Sequence, residues 1–126
     1  MLSRMLINLS NHPSLLWSER QLDAAKGYGD IIDVPFPVID EKGDEKYISD
    51  LADEYLRRVL TLSVNNEVVV HLMGELSFTF ALLNRLQANG IKCIASTSER
   101  IVLDECAGHK GEVIFRFERF REYERR

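Results

Sequence analysis

One stretch limits the possible folds of this chain more than any other. Residues 68–100 read VVVHLMGELSFTFALLNRLQANGIKCIASTSER. Residues 67–73 are almost continuously apolar, as expected of a strand buried on both faces of a parallel sheet. The run stops at Met73-Gly74-Glu75 and becomes an amphipathic helix over about 75–89, which buries Phe78, Leu82, Leu83 and Leu86. Asn89-Gly90 ends that helix, and a second apolar strand follows over 91–97. Two parallel neighbouring strands need a crossover of this kind, and such crossovers are right-handed.

The remaining sequence repeats the pattern. RMLINL (4–9) reads as a first strand ending in the loop Ser10-Asn11-His12-Pro13. SERQLDAAKGYG (18–29) carries a capping box, with Ser18 followed three residues later by Gln21. IIDVPFP (31–37) reads as a second strand, cut off by two prolines. ISDLADEYLRRVLTL (48–62) is a clear amphipathic helix with Ser49 near its start. The tail changes period: RIVLDE (100–105), a turn at 106–111 and EVIFRFERFREY (112–123) alternate apolar and polar residues, the signature of a β-hairpin. Strict alternation places Phe117 and Arg119 on one side, with Arg116, Glu118 and Phe120 on the other. The fold class is therefore α/β: a Rossmann-like, mostly parallel sheet with a C-terminal antiparallel β-hairpin.

Composition narrows the function classes. The 126 residues, 45% apolar with only seven glycines and three prolines, fit one globular domain over residues 1–126. No apolar run approaches the roughly 18 residues of a membrane span. The N-terminus reads as a strand rather than a signal peptide. Cys93 lies in an apolar run and Cys106 in the hairpin turn, with no disulfide framework, which points to a reducing cytoplasmic setting. The net charge of −4 argues against a duplex nucleic-acid binder. Residues 1–91 hold 8 Lys/Arg against 13 Asp/Glu, and residues 92–126 hold 8 against 7. An anionic ligand must therefore find its cations in the last third of the chain.

In open α/β sheets ligands bind beyond the carboxyl ends of the strands, where chain order reverses. With the order 2-1-3-4 that point lies between the first and third strands. Two loops face it, Ser10-Asn11-His12 and Met73-Gly74-Glu75-Leu76-Ser77, and Ser96-Thr97-Ser98-Glu99-Arg100 lies at the end of the adjacent fourth strand. These three segments are the pocket candidates. Gly74 permits a tight turn and a close backbone approach. Glu75 argues against a Walker-type phosphate loop, because a carboxylate repels phosphate, yet it suits a ribose hydroxyl or an adenine amino group. His12 is the best-placed group for acid–base work. His71, inside a strand, reads as a satisfied core histidine, and His109 as a solvated turn residue. The histidines are too scattered for a metal site. Arg100, Lys110, Arg116, Arg119 and Arg121 are the basic candidates, with the run on the last strand reading as a solvated face partnered by Glu118 and Glu122. Phe115, Phe117 and Phe120 read as core and edge packing.

The short strand into LSNHP, the block at 68–100, the Gly108-His109-Lys110 turn and the ending FRFERFREY together resemble a family. They are similar to the small standalone CARF-like ring nucleases of type III CRISPR systems. The resemblance implies a single CARF-like domain in a homodimer that binds a cyclic oligoadenylate, cyclic tetra-adenylate, across its two-fold axis. It implies metal-independent cleavage by a ribose 2′-hydroxyl, with no cofactor. Under it, His12, Glu75 and Arg100 are the catalytic candidates. Ser10, Asn11, Gly74, Ser77, Thr97, Ser98 and Lys110 contact the ligand. The alternative is a binding module of the same fold, a sensor or sponge that does not cleave.

Overall fold

A computed structural model describes residues 2–103 and 111–125. In chain order its elements are β1 (Ser3–Ser10), a 3-10 turn (Ser14–Leu16), α1 (Glu19–Lys26), β2 (Asp30–Asp33) and α2 (Glu45–Leu62). These are followed by β3 (Asn66–Met73), α3 (Leu76–Ala88), β4 (Lys92–Leu103) and β5 (Glu112–Glu122). The strands form one sheet in the order β2-β1-β3-β4-β5. The first four are parallel, and β5 pairs antiparallel with β4. Chain order thus reverses at β1, so the switch point falls between β1 and β3. No helix among the described residues is long and apolar enough to cross a membrane.

The local signals explain most boundaries, and the departures have physical causes. Ser18 caps α1, its Oγ accepting from the Gln21 N–H at 3.2 Å. Gly90 stands just past α3 with φ +74°, a conformation glycine adopts without strain. The helix expected at 48 starts earlier, at Glu45, because Asp44 accepts from the Tyr47 N–H at 2.9 Å and caps it. Ser49 is then free to join Asp53 in holding Arg85 of α3, at 2.8 and 2.7 Å. The second strand is shorter than expected, ending at Asp33. Beyond it Phe36 leaves the sheet and packs edge-on against Phe78 at 5.3 Å.

The largest difference concerns the fourth strand. Residues 91–97 and 100–105 read as two strands separated by a loop, yet β4 runs unbroken from Lys92 to Leu103. Only residues 92–94 pair with β3, whereas β5 pairs from Ile94 to Leu103. The outer half of β4 and its partner therefore project past the parallel sheet as a two-stranded ribbon. The register shifts at Thr97 and Ser98, which face Arg119 and Phe117 respectively, leaving Glu118 as an extra residue. This β-bulge is stapled by Thr97 Oγ1, which donates to Arg119 O at 3.0 Å and accepts from its N–H at 3.2 Å. It reverses the alternation, so Phe117 and Phe120 are buried in the same cluster rather than on opposite sides.

The two faces of the sheet are filled differently. Beneath α2 and α3 lies an apolar cluster centred on Ile7, Leu9, Val70, Leu72, Phe78 and Leu82. The other face is covered by the eight residues of α1 and by Trp17 just before it, around Leu6, Ala25, Ile94, Phe117 and Phe120. Those elements leave the carboxyl ends of β1, β3 and β4 open on that side.

Candidate functional site

Strand alternation decides what is exposed there. Leu6 and Ile94 point toward α1 and belong to its cluster. Side chains two and four residues further along their strands share that face: Asn8 and Ser10 from β1, Ser96 and Ser98 from β4. Register places Asn8 beside His71 and Ser10 beside Met73. The result is a polar patch on an otherwise apolar sheet. A cavity of about 510 Å³ opens over it, within the range typical of small-molecule sites. Its floor and walls include Ser10, His71, Met73, Gly74, Ser96 and Ser98. Asn11, His12, Leu16 and Ser18 form one rim, Phe115 and Phe117 of the ribbon the other, and Gln21 of α1 the base of the wall.

A hydrogen-bonded network lies under the cavity. Asn8 Nδ2 donates to Asp33 Oδ1 at 2.8 Å and to His12 O at 2.9 Å. Asn8 Oδ1 accepts from Ser10 Oγ at 2.7 Å and faces His71 Nδ1 at 2.9 Å. Asp33 also accepts from Ser14, through Oγ at 2.6 Å and the backbone N–H at 3.1 Å. Burial pushes the Asp33 carboxyl up, but the hydrogen bonds from Ser14 and Asn8 outweigh it and hold the group below its ordinary range. Burial, aided by nearby His12, lowers His71 to about 4, so its imidazole is neutral at pH 7. Trp17 and Phe120 lie against the His71 ring, with centroids at 5.3 and 5.5 Å. Trp17 Nε1 donates to His12 O at 2.9 Å, fixing the rim loop to this aromatic wall.

The candidates from sequence divide into three groups. Ser10, Asn11, His12, Gly74 and Ser98 line the cavity together. His12 is exposed, with Nε2 at 3.2 Å from Leu16 O. Arg100 faces Phe115 across the ribbon, so it lies on the cavity side further out. Glu75, Ser77 and Thr97 are engaged elsewhere. The Glu75 carboxylate caps α3, accepting from Ser77 Oγ at 2.6 and 2.7 Å and from the Phe78 N–H at 2.8 Å. Those bonds lower its pKa, Ser77 contributing most. Thr97 staples the bulge on the opposite face. Lys110, His109 and Cys106 lie outside the described residues. Gly74 lines the cavity, but its main constraint comes from behind: a β-carbon there would overlap the Phe36 ring.

Three contributors escaped the sequence reading: Asn8, Asp33 and His71. Their signal was a polar residue at every second position near the end of an apolar strand, repeated in strands that later pair. His71 is buried, but it is not fully satisfied, since its Nε2 has no hydrogen-bond partner among the described residues. Cys93 is a buried core thiol, pushed up to about 12 chiefly by burial, and so is unreactive. Among the described residues no group of three His, Cys, Asp or Glu is placed to hold a metal ion.

A family model described as "Uncharacterized protein MJ1673 family" matches residues 4–121, which include every element of the sheet except its first and last residues. No curated protein matches the chain.

Proposed function

The chain belongs to the MJ1673 family, and we propose that it binds a cyclic oligoadenylate, cyclic tetra-adenylate, and cleaves it. The observation that carries this reading is the cavity at the switch point. It combines hydroxyl, amide and imidazole groups in its lining with an aromatic and aliphatic rim of Phe115, Phe117 and Leu16. Hydroxyls and amides suit ribose, and the exposed Phe115 ring suits a purine face. Arg100 on the cavity side supplies charge for a phosphate. The cavity is open, and Phe115 beside it is 69% exposed. A second copy on the ribbon closes the site and doubles its cations, so the proposed active form is a homodimer in the cytoplasm.

The proposed reaction needs no metal. A ribose 2′-oxygen attacks the adjacent phosphorus, the P–O5′ bond breaks, and the 2′ proton leaves while O5′ gains one. The products are linear fragments ending in a 2′,3′-cyclic phosphate. The protein's share is orientation and charge stabilisation, with His12 and Arg100 nearest the ring and Glu75 holding the α3 end that borders it. Removal of the ring switches off type III CRISPR signalling in this reading. A non-catalytic sensor or sponge is favoured by one observation: Glu75 and Thr97 are already committed to structural hydrogen bonds.

Incubation with labelled cyclic tetra-adenylate in EDTA separates the readings. Linear di-adenylate products support the enzyme, and tight binding without turnover supports the sensor. Neither binding nor products would remove this ligand class.

A further inference from the structure

The network under the cavity fixes more than a ring position; it fixes a proton. The Asp33 carboxylate and the His12 carbonyl only accept hydrogen bonds, so the Asn8 atom at 2.8 and 2.9 Å from them must be the amide nitrogen. The other Asn8 atom is then the carbonyl oxygen, which accepts from Ser10 Oγ. At 2.9 Å from that oxygen, His71 Nδ1 must carry a hydrogen. A neutral imidazole with its proton on Nδ1 bears a lone pair on Nε2. Among the described residues that nitrogen has no donor, in a residue only 1% exposed that lines the cavity. Leaving a buried acceptor unmade costs stability, and an apolar side chain between Trp17 and Phe120 avoids that cost.

We infer that His71 Nε2 is an acceptor reserved for a ligand donor, and that Asn8 and Asp33 are positioning residues that set its tautomer. A lone pair held this way welcomes an O–H or N–H and disfavours a phosphate oxygen. The contact is therefore to sugar or base, and the phosphates lie toward Arg100. This rests on the proposed cyclic oligoadenylate reading, in which the donor is a ribose 2′-hydroxyl. The base takes the exposed rim of Leu16 and Phe115, and the ribose lies deeper beside Ser10. His71 then selects ribose over deoxyribose and orients the attacking oxygen. Because Nε2 is covered in the free chain, the hydroxyl reaches it with a shift in the rings packed on His71, which Trp17, the chain's single tryptophan, reports.

The test is a binding cycle read by Trp17 fluorescence, completed before product forms. Wild type and His71→Phe are each titrated with cyclic tetra-adenylate and with its all-2′-deoxy counterpart. Wild type is expected to prefer the ribose ring about tenfold, and His71→Phe to bind both rings alike. Discrimination that survives in His71→Phe, or is absent from wild type, overturns the inference and leaves the proposed ligand standing. Failure of wild type to bind either ring overturns both. Should His71→Phe misfold, ¹⁵N-histidine spectra of wild type decide the matter. The proton must sit on Nδ1 in the free protein, and the Nε2 resonance must move with the ribose ring only. A proton on Nε2, or no such movement, overturns the inference.

Discussion

The two faces of this sheet are built to opposite specifications. On the α2–α3 side, the buried residues that form the cluster core are apolar or weakly polar, and aromatic rings lock Phe36, Tyr55 and Phe78 edge to face. On the α1 side, the same strands present Asn8, Ser10 and His71, all buried, under a helix of only eight residues. One face concentrates burial energy and the other spends positions on polar groups that need partners. The difference teaches where stability and ligand binding should separate.

Phe78→Ala is the sharpest test of the packed face. Phe78 is fully buried between Phe36 and Tyr55, and the truncation should cost about 3–5 kcal/mol in urea unfolding. His71→Phe on the other face should leave stability at neutral pH within about 1 kcal/mol of wild type, because it removes an unsatisfied acceptor along with a hydrogen bond. If both substitutions destabilise equally, the contrast between the faces is wrong.

Acid should expose the same asymmetry. His71 is lowered from its ordinary 6.5 to about 4 by burial and then by His12. The unfolded chain therefore takes up this proton first. The stability is fully present above pH 6.5 and is lost as pH falls toward 4, by about 3 kcal/mol. His71→Phe should flatten that part of the urea midpoint against pH. Losses below pH 4 should remain, since Asp33 and Glu75 are both held below their ordinary values.

Smaller effects mark the border between the faces. Gly74→Ala drives a methyl into Phe36 and should cost about 1–3 kcal/mol by overpacking. Glu75→Ala removes the α3 cap and should cost about 0.5–1 kcal/mol, measurable by thermal unfolding. Cleavage of cyclic tetra-adenylate by Glu75→Ala sharpens the comparison further. Unchanged turnover assigns Glu75 to the helix alone, and a large loss returns it to the site.

Much of this was legible beforehand. The alternation of strands and helices, the β2-β1-β3-β4 order and the loop at Ser10–His12 follow from periodicity, caps and handedness. The unbroken β4 did not, because the apolar run ends in polar Ser96-Thr97-Ser98-Glu99 and the strand reads as stopping at Thr97 when taken alone. Pairing with β5 supplies the backbone hydrogen bonds that keep it extended. The shared side of Phe117 and Phe120 was equally hidden, since a bulge depends on the partner strand's register. Glu75 lay at the expected turn, but only coordinates reveal that its oxygens face its own helix.

The sequence by itself determined the class of fold, the reversal at β1 and the end of the sheet where a site belongs, because these rest on local periodicity and chain direction. The tertiary structure decided which polar side chains meet. Asn8 and His71 are 63 residues apart, and nothing in either neighbourhood specifies the other. Their pairing, the tautomer it fixes and the unpartnered nitrogen that results exist only once register aligns β1 with β3 and a short α1 leaves that face open.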